Sequence, residues 1–371
     1  MATKNIGALP IQLIRGLMQT NHIISARETQ LSPASLDLAI SDELYRIEEL
    51  LLPHFEEEIR TLLSDMGASR HTFDSPLEKG STYLARLAES FALPSDVYAY
   101  CNPKSSTGRN DMHVRVMANG ASRFDSLPPG YAGEAWVTIT PNSFSVKIEA
   151  GETLSQIRFF TDDTRLSELE LQIAMERDRL LWDKSGNPIS YHSIKTSDRD
   201  GSIILTADVA EHFVGWESIP STHALDLSKK WAHKPEEFFK PLYKSNGRVH
   251  LQQGHFYILR SREYLRVPPY LACEIASMDE RAGEFRSHYA GFFDPGWGWG
   301  ASGEGKGRPA VFEVRPLFQD LILRDGQPIA KFRFEHLTRV PEKLYDEMST
   351  SHYTNQSTYA VLSKHFVLPS V

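Results

Sequence analysis

LEKGSTYLARLAESFALP, residues 77–94, reads as a β-strand between turns, and it returns 174 residues later, without a gap, as LQQGHFYILRSREYLRVP, residues 251–268. Leucine, glycine, tyrosine, arginine, glutamate and proline coincide, from Leu77 and Leu251 to Pro94 and Pro268. Downstream, GETLSQIRFF from Gly151 meets GQPIAKFRFE from Gly326 at an offset of 175, with Arg158–Phe159 facing Arg333–Phe334. Between these blocks stand Pro129-Gly130-Tyr131 and Pro295-Gly296-Trp297, and upstream both Leu36–Leu38 and Leu225–Leu227 read Leu-Asp-Leu. Blocks in one order at a nearly constant offset are the signature of duplication.

The blocks are short alternating runs rich in β-branched and aromatic residues, such as TYLARLAE, AWVTIT, FSVKIEA, FYILRSRE and AVFEVR, broken by Gly, Pro, Asn and Asp. Two tandem β-barrels or sandwiches follow, a mainly β fold with flanking helices. Apolar spacing predicts a connecting helix over Ser167 to Asp183, which places the two repeats at 1–165 and 166–371. The same spacing predicts helix from Asp42 to Met66, cut in two at Pro53 and covering a barrel end.

The totals agree with two domains: 371 residues, 41% of them hydrophobic, are enough for two cores. A formal charge of −8 argues against a protein that wraps nucleic acid, which needs a basic field. Cys101 and Cys273 are the only cysteines, too few for a disulfide framework. No stretch has the length of a membrane span, so a soluble, cytoplasmic protein with neither membrane nor nucleic-acid partner is expected.

QLSPASLDLAI (30–40), LPSDVYAYCNPKSSTGR (93–109), the Pro-Gly-Tyr turn and GETLSQIRF resemble, in order, the motifs of the dCTP deaminase and trimeric dUTPase superfamily. The second repeat adds RAGEFRSHYAGFFDPGWG (281–298) and AVFEVR (310–315), and SHYTNQS (351–357) is similar to the family's nucleotide-closing tail. The pattern most resembles the longer bacterial dCTP deaminases, in which the barrel is duplicated. Such a resemblance implies two dUTPase-like distorted jelly-roll barrels and conversion of dCTP to dUTP and ammonia. It also implies Mg²⁺ carried by the triphosphate, sites at subunit interfaces of a homo-oligomer, a trimer above all, and room for a dTTP or dUTP feedback ligand.

Hydrolytic deamination needs water at C4 of cytosine, a proton at N3 and release of ammonia, so one group must both take and give protons. A carboxylate with a raised pKa can do so. The family's glutamate follows the Asp-Pro-Gly turn, and Glu313 takes that place, after an insertion, WGASGEGKGRP, expected to be flexible. The corresponding residue of the first repeat is Thr138, which cannot shuttle protons at neutral pH. The family's Ser-Ser-x-x-Arg stands in the first repeat as Ser105, Ser106 and Arg109, and arginine there would grip phosphate as a fixed fork. In the second repeat the same places fall to Ser277, Met278 and Arg281. Ser277, His288 or the carbonyl of Ala290 would hold the attacking water, Asp294 would read the 3′-hydroxyl, and Tyr353 and Gln356 in the tail would enclose the nucleotide. His352 stands where a family lysine is expected.

Zinc is not expected, because zinc deaminases need His-x-Glu with a later Pro-Cys-x-x-Cys and only His54-Phe55-Glu56 is present. Two rivals remain beside a dCTP deaminase: a dUTPase or bifunctional deaminase-diphosphatase, and a silent nucleotide-binding regulatory barrel. The site itself has two readings, one within second repeats around Ser277, Arg281 and Glu313, favoured here, and one composite between Arg109 of the first and Glu313 of the second.

Overall fold

The computed structural model describes residues 6–348 and 362–367, apart from 195, 277, 279–284 and 287–290. In the first repeat the long strand Ser35–Ile47 organises the barrel: its first part pairs with Thr153–Phe160 and, past a register shift between Ile40 and Leu44, its second part pairs with Thr82–Ala92. Thr82–Ala92 continues to Ala132–Pro141 and Met112–Ala118, while Thr153–Phe160 continues to Tyr98–Pro103 and Ser126–Leu127.

The second repeat keeps this order but splits the central strand. Ser202–Thr206 pairs with Pro328–His336, and Phe213–Ser218 pairs with Tyr257–Leu265, which leads on to Arg308–Pro316. Register makes the duplication concrete: Leu84 faces Thr138 and Ile258 faces Glu313, so Thr138 and Glu313 are the same position of the repeat. One sequence match fails this test. Leu36 lies opposite Ile157 and Ile203 opposite Phe332, so Ile203–Leu205 is the counterpart of Leu36–Leu38. Leu225–Asp226 instead crosses to the first repeat and pairs in parallel with Val146–Lys147.

The helix expected over Asp42–Met66 is mostly strand and turn, with helix only at Ile59–Leu62. The three- and four-residue spacing of Leu44, Ile47, Leu50 and Leu51 mimics a helix, but residues 44–47 are taken up on both edges, by Ser69–His71 and by Thr82–Ala85. Short as it is, the helix caps a small core of Ile47, Leu84, Met117 and Trp136. The connecting helix forms at Glu168–Asp178, started by a capping box between Ser167 and Glu170 and stopped at Arg179, whose φ is +52°. It ends before Asp183 because Leu181–Trp182 is drawn into pairing with Tyr264–Leu265.

The repeats share a core. Phe238, Phe239, Ile258, Val311 and Phe366 of the second pack into the cluster centred on the first. Phe144 meets Phe238 and Phe239 edge-on, and Ala8 at the other end bridges to Leu337.

Candidate active site

The Ser-Ser-x-x-Arg motif forms a single turn of helix, Ser105–Gly108, between two strands of the first barrel. Its orientation is set by the last strand of that barrel: Lys104 donates its N–H to the carbonyl of Leu154 at 3.0 Å, and the Thr107 hydroxyl donates to the same carbonyl at 2.9 Å. With the turn pinned from behind, Ser105, Ser106 and Arg109 face a cavity of about 330 Å³.

The opposite wall belongs to the second repeat. It carries Gly291 to Asp294, Trp297 and Val311, so the cavity is composite. The Asp-Pro-Gly turn that presents Asp294 is built like its counterpart in the first repeat. Leu93 donates to Tyr131 at 2.8 Å and Val267 to Trp297 at 2.9 Å, and Gly130 and Gly296 both take the positive φ the turn requires, +72° and +88°. Pro128 holds the place of Asp294 in the first copy.

Asp294 is held by groups of the first repeat. Arg158, 0% exposed, donates to its Oδ1 at 3.0 Å, and the Ser35 hydroxyl donates to Oδ2 at 3.1 Å. Arg158 spends its other arm on Glu335 Oε2 at 3.0 Å and lies 4.2 Å over the Phe292 ring. Burial pushes the Asp294 carboxyl above the usual carboxylate range, opposed by Arg158 and Ser35. A carboxylate offers about four acceptor positions, so these contacts leave room for a hydroxyl in the cavity.

Glu313 is 1% exposed, far from the solvated fate of most strand glutamates. Ala310, Phe312 and Val314 point into the second barrel's own core, so Val311, Glu313 and Arg315 share the other face, the one turned to the first repeat. Val311 lines the cavity, and Arg315 ion-pairs with Asp111, two residues beyond Arg109. Glu313 thus sits one strand step from the cavity wall, on the face that meets the Arg109–Asp111 segment. Ser277, Arg281, His288, Ala290, Tyr353 and Gln356 lie outside the described residues, yet Gly291, Met348 and Lys364, which border their segments, line the cavity.

Two family models match the chain: the N-terminal domain of 2′-deoxycytidine 5′-triphosphate deaminase over residues 5–163 and its C-terminal domain over 172–366. The chain belongs to the dCTP deaminase family. A solved 2′-deoxycytidine 5′-triphosphate deaminase from Agrobacterium tumefaciens superposes with a TM-score of 0.83 at 35% identity, covering 92% of this chain and 98% of that one. A salicylate 1,2-dioxygenase from Pseudaminobacter salicylatoxidans, at 9% identity and a TM-score of 0.11, carries no argument. No curated protein matches by sequence. Membership makes the chain a hydrolytic deaminase of a pyrimidine deoxyribonucleotide built from two dUTPase-like barrels, ahead of the dUTPase and silent-barrel readings.

Sequence reasoning gave no role to several groups at or beside the cavity. Arg158, Ser35 and Lys104 lie inside the motif segments without being singled out there, and Lys230 and Lys364 lie in no motif. The glycine-rich insertion, expected to be flexible, is pinned: the Arg266 guanidinium donates to the carbonyls of Gly303 and Gly305, each at 2.8 Å, and lies 4.2 Å over the Trp299 ring. Among the described residues no three His, Cys, Asp or Glu side chains group as a metal site, and no helix is long and apolar enough to cross a membrane.

Proposed function

We propose that the cavity between the repeats is a composite dCTP deaminase site, in which the first repeat grips the phosphates and the second shuttles the protons. The observation that carries this reading is the burial of Glu313 on the strand face turned toward the Arg109 segment. In the proposed reaction the Glu313 carboxylate takes a proton from water as the oxygen attacks C4 and delivers it to N3. Again a carboxylate, Glu313 takes the proton of the new C4 hydroxyl and passes it to the amino group, so that ammonia leaves as the C4 carbonyl forms. The serine hydroxyls and Arg109 hold phosphate oxygens, and Asp294 reads the 3′-hydroxyl.

Ser277, Arg281, His288 and the Ala290 carbonyl are proposed to position the water, since their segment runs into Gly291 on the cavity wall. Tyr353 and Gln356 are proposed to enclose the nucleotide, the tail being tied to the cavity at Met348 and Lys364. Magnesium, when bound, neutralises phosphate charge. Of the cavity-lining carboxylates, Asp294 is committed to Arg158 and Ser35 and Asp37 to Lys104, which fits a metal carried on the triphosphate, without zinc. A homotrimer in the cytoplasm, open to feedback by dTTP or dUTP, is the proposed working form; Cys101 and Cys273, both free and buried, suit a reducing compartment.

The test is Glu313→Gln, which keeps the shape and removes the shuttle. We expect ammonia release from dCTP to fall by about 10³-fold or more while dCTP still binds. Turnover near that of the parent would overturn the assignment, and pyrophosphate release from dUTP would bring back the bifunctional alternative.

A further inference from the structure

One wall of the cavity carries a buried lysine. Lys364 is 9% exposed and lines the cavity, and among the described residues its ammonium makes no hydrogen bond and no ion pair. Its main chain is fixed on both sides. The Lys364 carbonyl accepts from the N–H of Trp231 at 2.9 Å, the His365 carbonyl accepts from Ala232 and His233, and the Ser363 hydroxyl donates to Asn110 Oδ1 at 2.6 Å. The last contact ties the residue before Lys364 to the residue directly after Arg109.

The charged groups that face Lys364 come from four places: Asp37 on the central strand, Lys104 at the Ser-Ser-x-x-Arg turn, Glu152 before the strand Thr153–Phe160, and Lys230 on the segment that crosses from the second repeat. Lys104 is already paired with Asp37 and bonded to the Thr153 hydroxyl at 2.8 Å. Counting Arg109 on the same wall, cations outnumber carboxylates. Burial, together with Lys104 and Lys230, brings the Lys364 ammonium down to about 8. An ammonium desolvated beside like charges is costly until an anion reaches it. If the serines and Arg109 take the first phosphate, as the deaminase reading has it, Lys364 and Lys230, on the crossing segments, are the lining cations left for a further one.

We propose that Lys364 receives the terminal phosphate of the nucleotide and is the residue that tells a triphosphate from a shorter phosphate chain, with Lys104 and Lys230 converging on the same group. This rests on the deaminase reading of the cavity. Its consequence is linkage: near pH 8 the free site is partly deprotonated, and arrival of the polyphosphate returns Lys364 to the charged form by taking one proton from solvent.

The experiment uses the full chain carrying Glu313→Gln, so that nucleotides bind without turnover. Calorimetry with dCTP, dCDP and dCMP near pH 8, in buffers of different ionisation enthalpy, reads both affinity and proton uptake. Lys364→Met should weaken dCTP binding about tenfold to a hundredfold, change dCMP binding less than about twofold, and abolish proton uptake. Lys364→Arg, always charged, should keep the triphosphate preference and lose the uptake. Equal weakening of dCTP and dCMP in Lys364→Met, or proton uptake retained in either variant, overturns the proposal. If the parent binds none of the three nucleotides, the deaminase reading falls with it; if the parent prefers dCTP and Lys364→Met keeps that preference, only the role of Lys364 falls.

Discussion

Where the second repeat has Val311 and Glu313, the first has Trp136 and Thr138. Trp136 faces Arg86 and Val311 faces Arg260, so the two strands are in the same register, and the outward faces of both are covered. What covers them differs. In the first repeat the cover is local: Trp136 is buried with Leu84, Met117 and Ile59 under the short helix, and Thr138 donates to the Arg115 carbonyl at 3.2 Å. In the second repeat the cover is the first repeat itself, and a cavity is left between them. The copies meet through unlike faces, and at Trp136 an indole fills the position that at Val311 opens onto the cavity. Arg158 and Arg333 diverge for the same reason. Arg158 is sealed between the repeats, whereas Arg333, with its side chain 29% exposed, makes a 3.3 Å contact with Asp200.

The comparison breaks most sharply at Arg109, the arginine proposed to grip phosphate. If the site is composite, Arg109→Ala should fold, with a melting temperature near the parent's, and lose about 10²-fold or more in kcat/KM for dCTP, matching the loss in Arg281→Ala. If the work is done within second repeats alone, Arg109→Ala would keep its turnover and show only a stability or regulatory defect. Steady-state ammonia release from the two variants separates these outcomes.

A weaker but cleaner contrast lies in the paired arginines. Arg158→Met leaves Asp294 and Glu335 buried without their shared cation, and unfolding in urea should show a loss of about 3–5 kcal/mol. Arg333→Met removes a half-exposed pair and should cost under about 1 kcal/mol. Equal costs would mean that the seam between the repeats is not what sets Arg158 apart.

Much of this asymmetry was present in the sequence, and some of it could not be. The equivalence of Thr138 and Glu313 followed by counting from Pro129-Gly130 through AGEAWVT, and the strand ladders pair the two with Leu84 and Ile258, which the gapless match of residues 77–94 with 251–268 already aligns. The Leu-Asp-Leu match misled because three residues of common types can coincide, and only pairing with Val146–Lys147 exposes the error. The composite cavity was left open because contacts such as Arg158 with Asp294, 136 positions apart, leave no local pattern. Arginine in a strand is ordinarily solvated, as its twin Arg333 partly is, so nothing in residues 151–160 announces complete burial. Lys364 was hidden for the same reason, its role depending on Trp231, Asn110 and Lys104 arriving from distant parts of the chain.

The smallest effect concerns pH and the acid that faces Arg333 in the ladder. Burial, then the neighbouring Glu335, raise Glu274 from the ordinary 4.5 to about 7, while Arg158, Arg333 and Arg165 pull the other way. Its folded-state value lies above its unfolded one, so between about pH 4.5 and 7 the folded chain keeps a proton that the unfolded chain has released. The folded state binds more protons across that window, and this group's contribution to stability is greatest below it and declines as pH rises through it. Glu274→Gln removes the decline. Thermal unfolding should therefore show the variant more stable than the parent by about 1 kcal/mol near pH 8, a figure discounted for partial exposure, with the gain vanishing below about pH 4.5. A gain that is independent of pH would point to packing instead of charge. A loss at high pH would mean that Glu274 serves the arginines beside it as a working counter-ion, and that the exposed side of the Arg158–Arg333 comparison is tied more closely to its carboxylates than the structure implies.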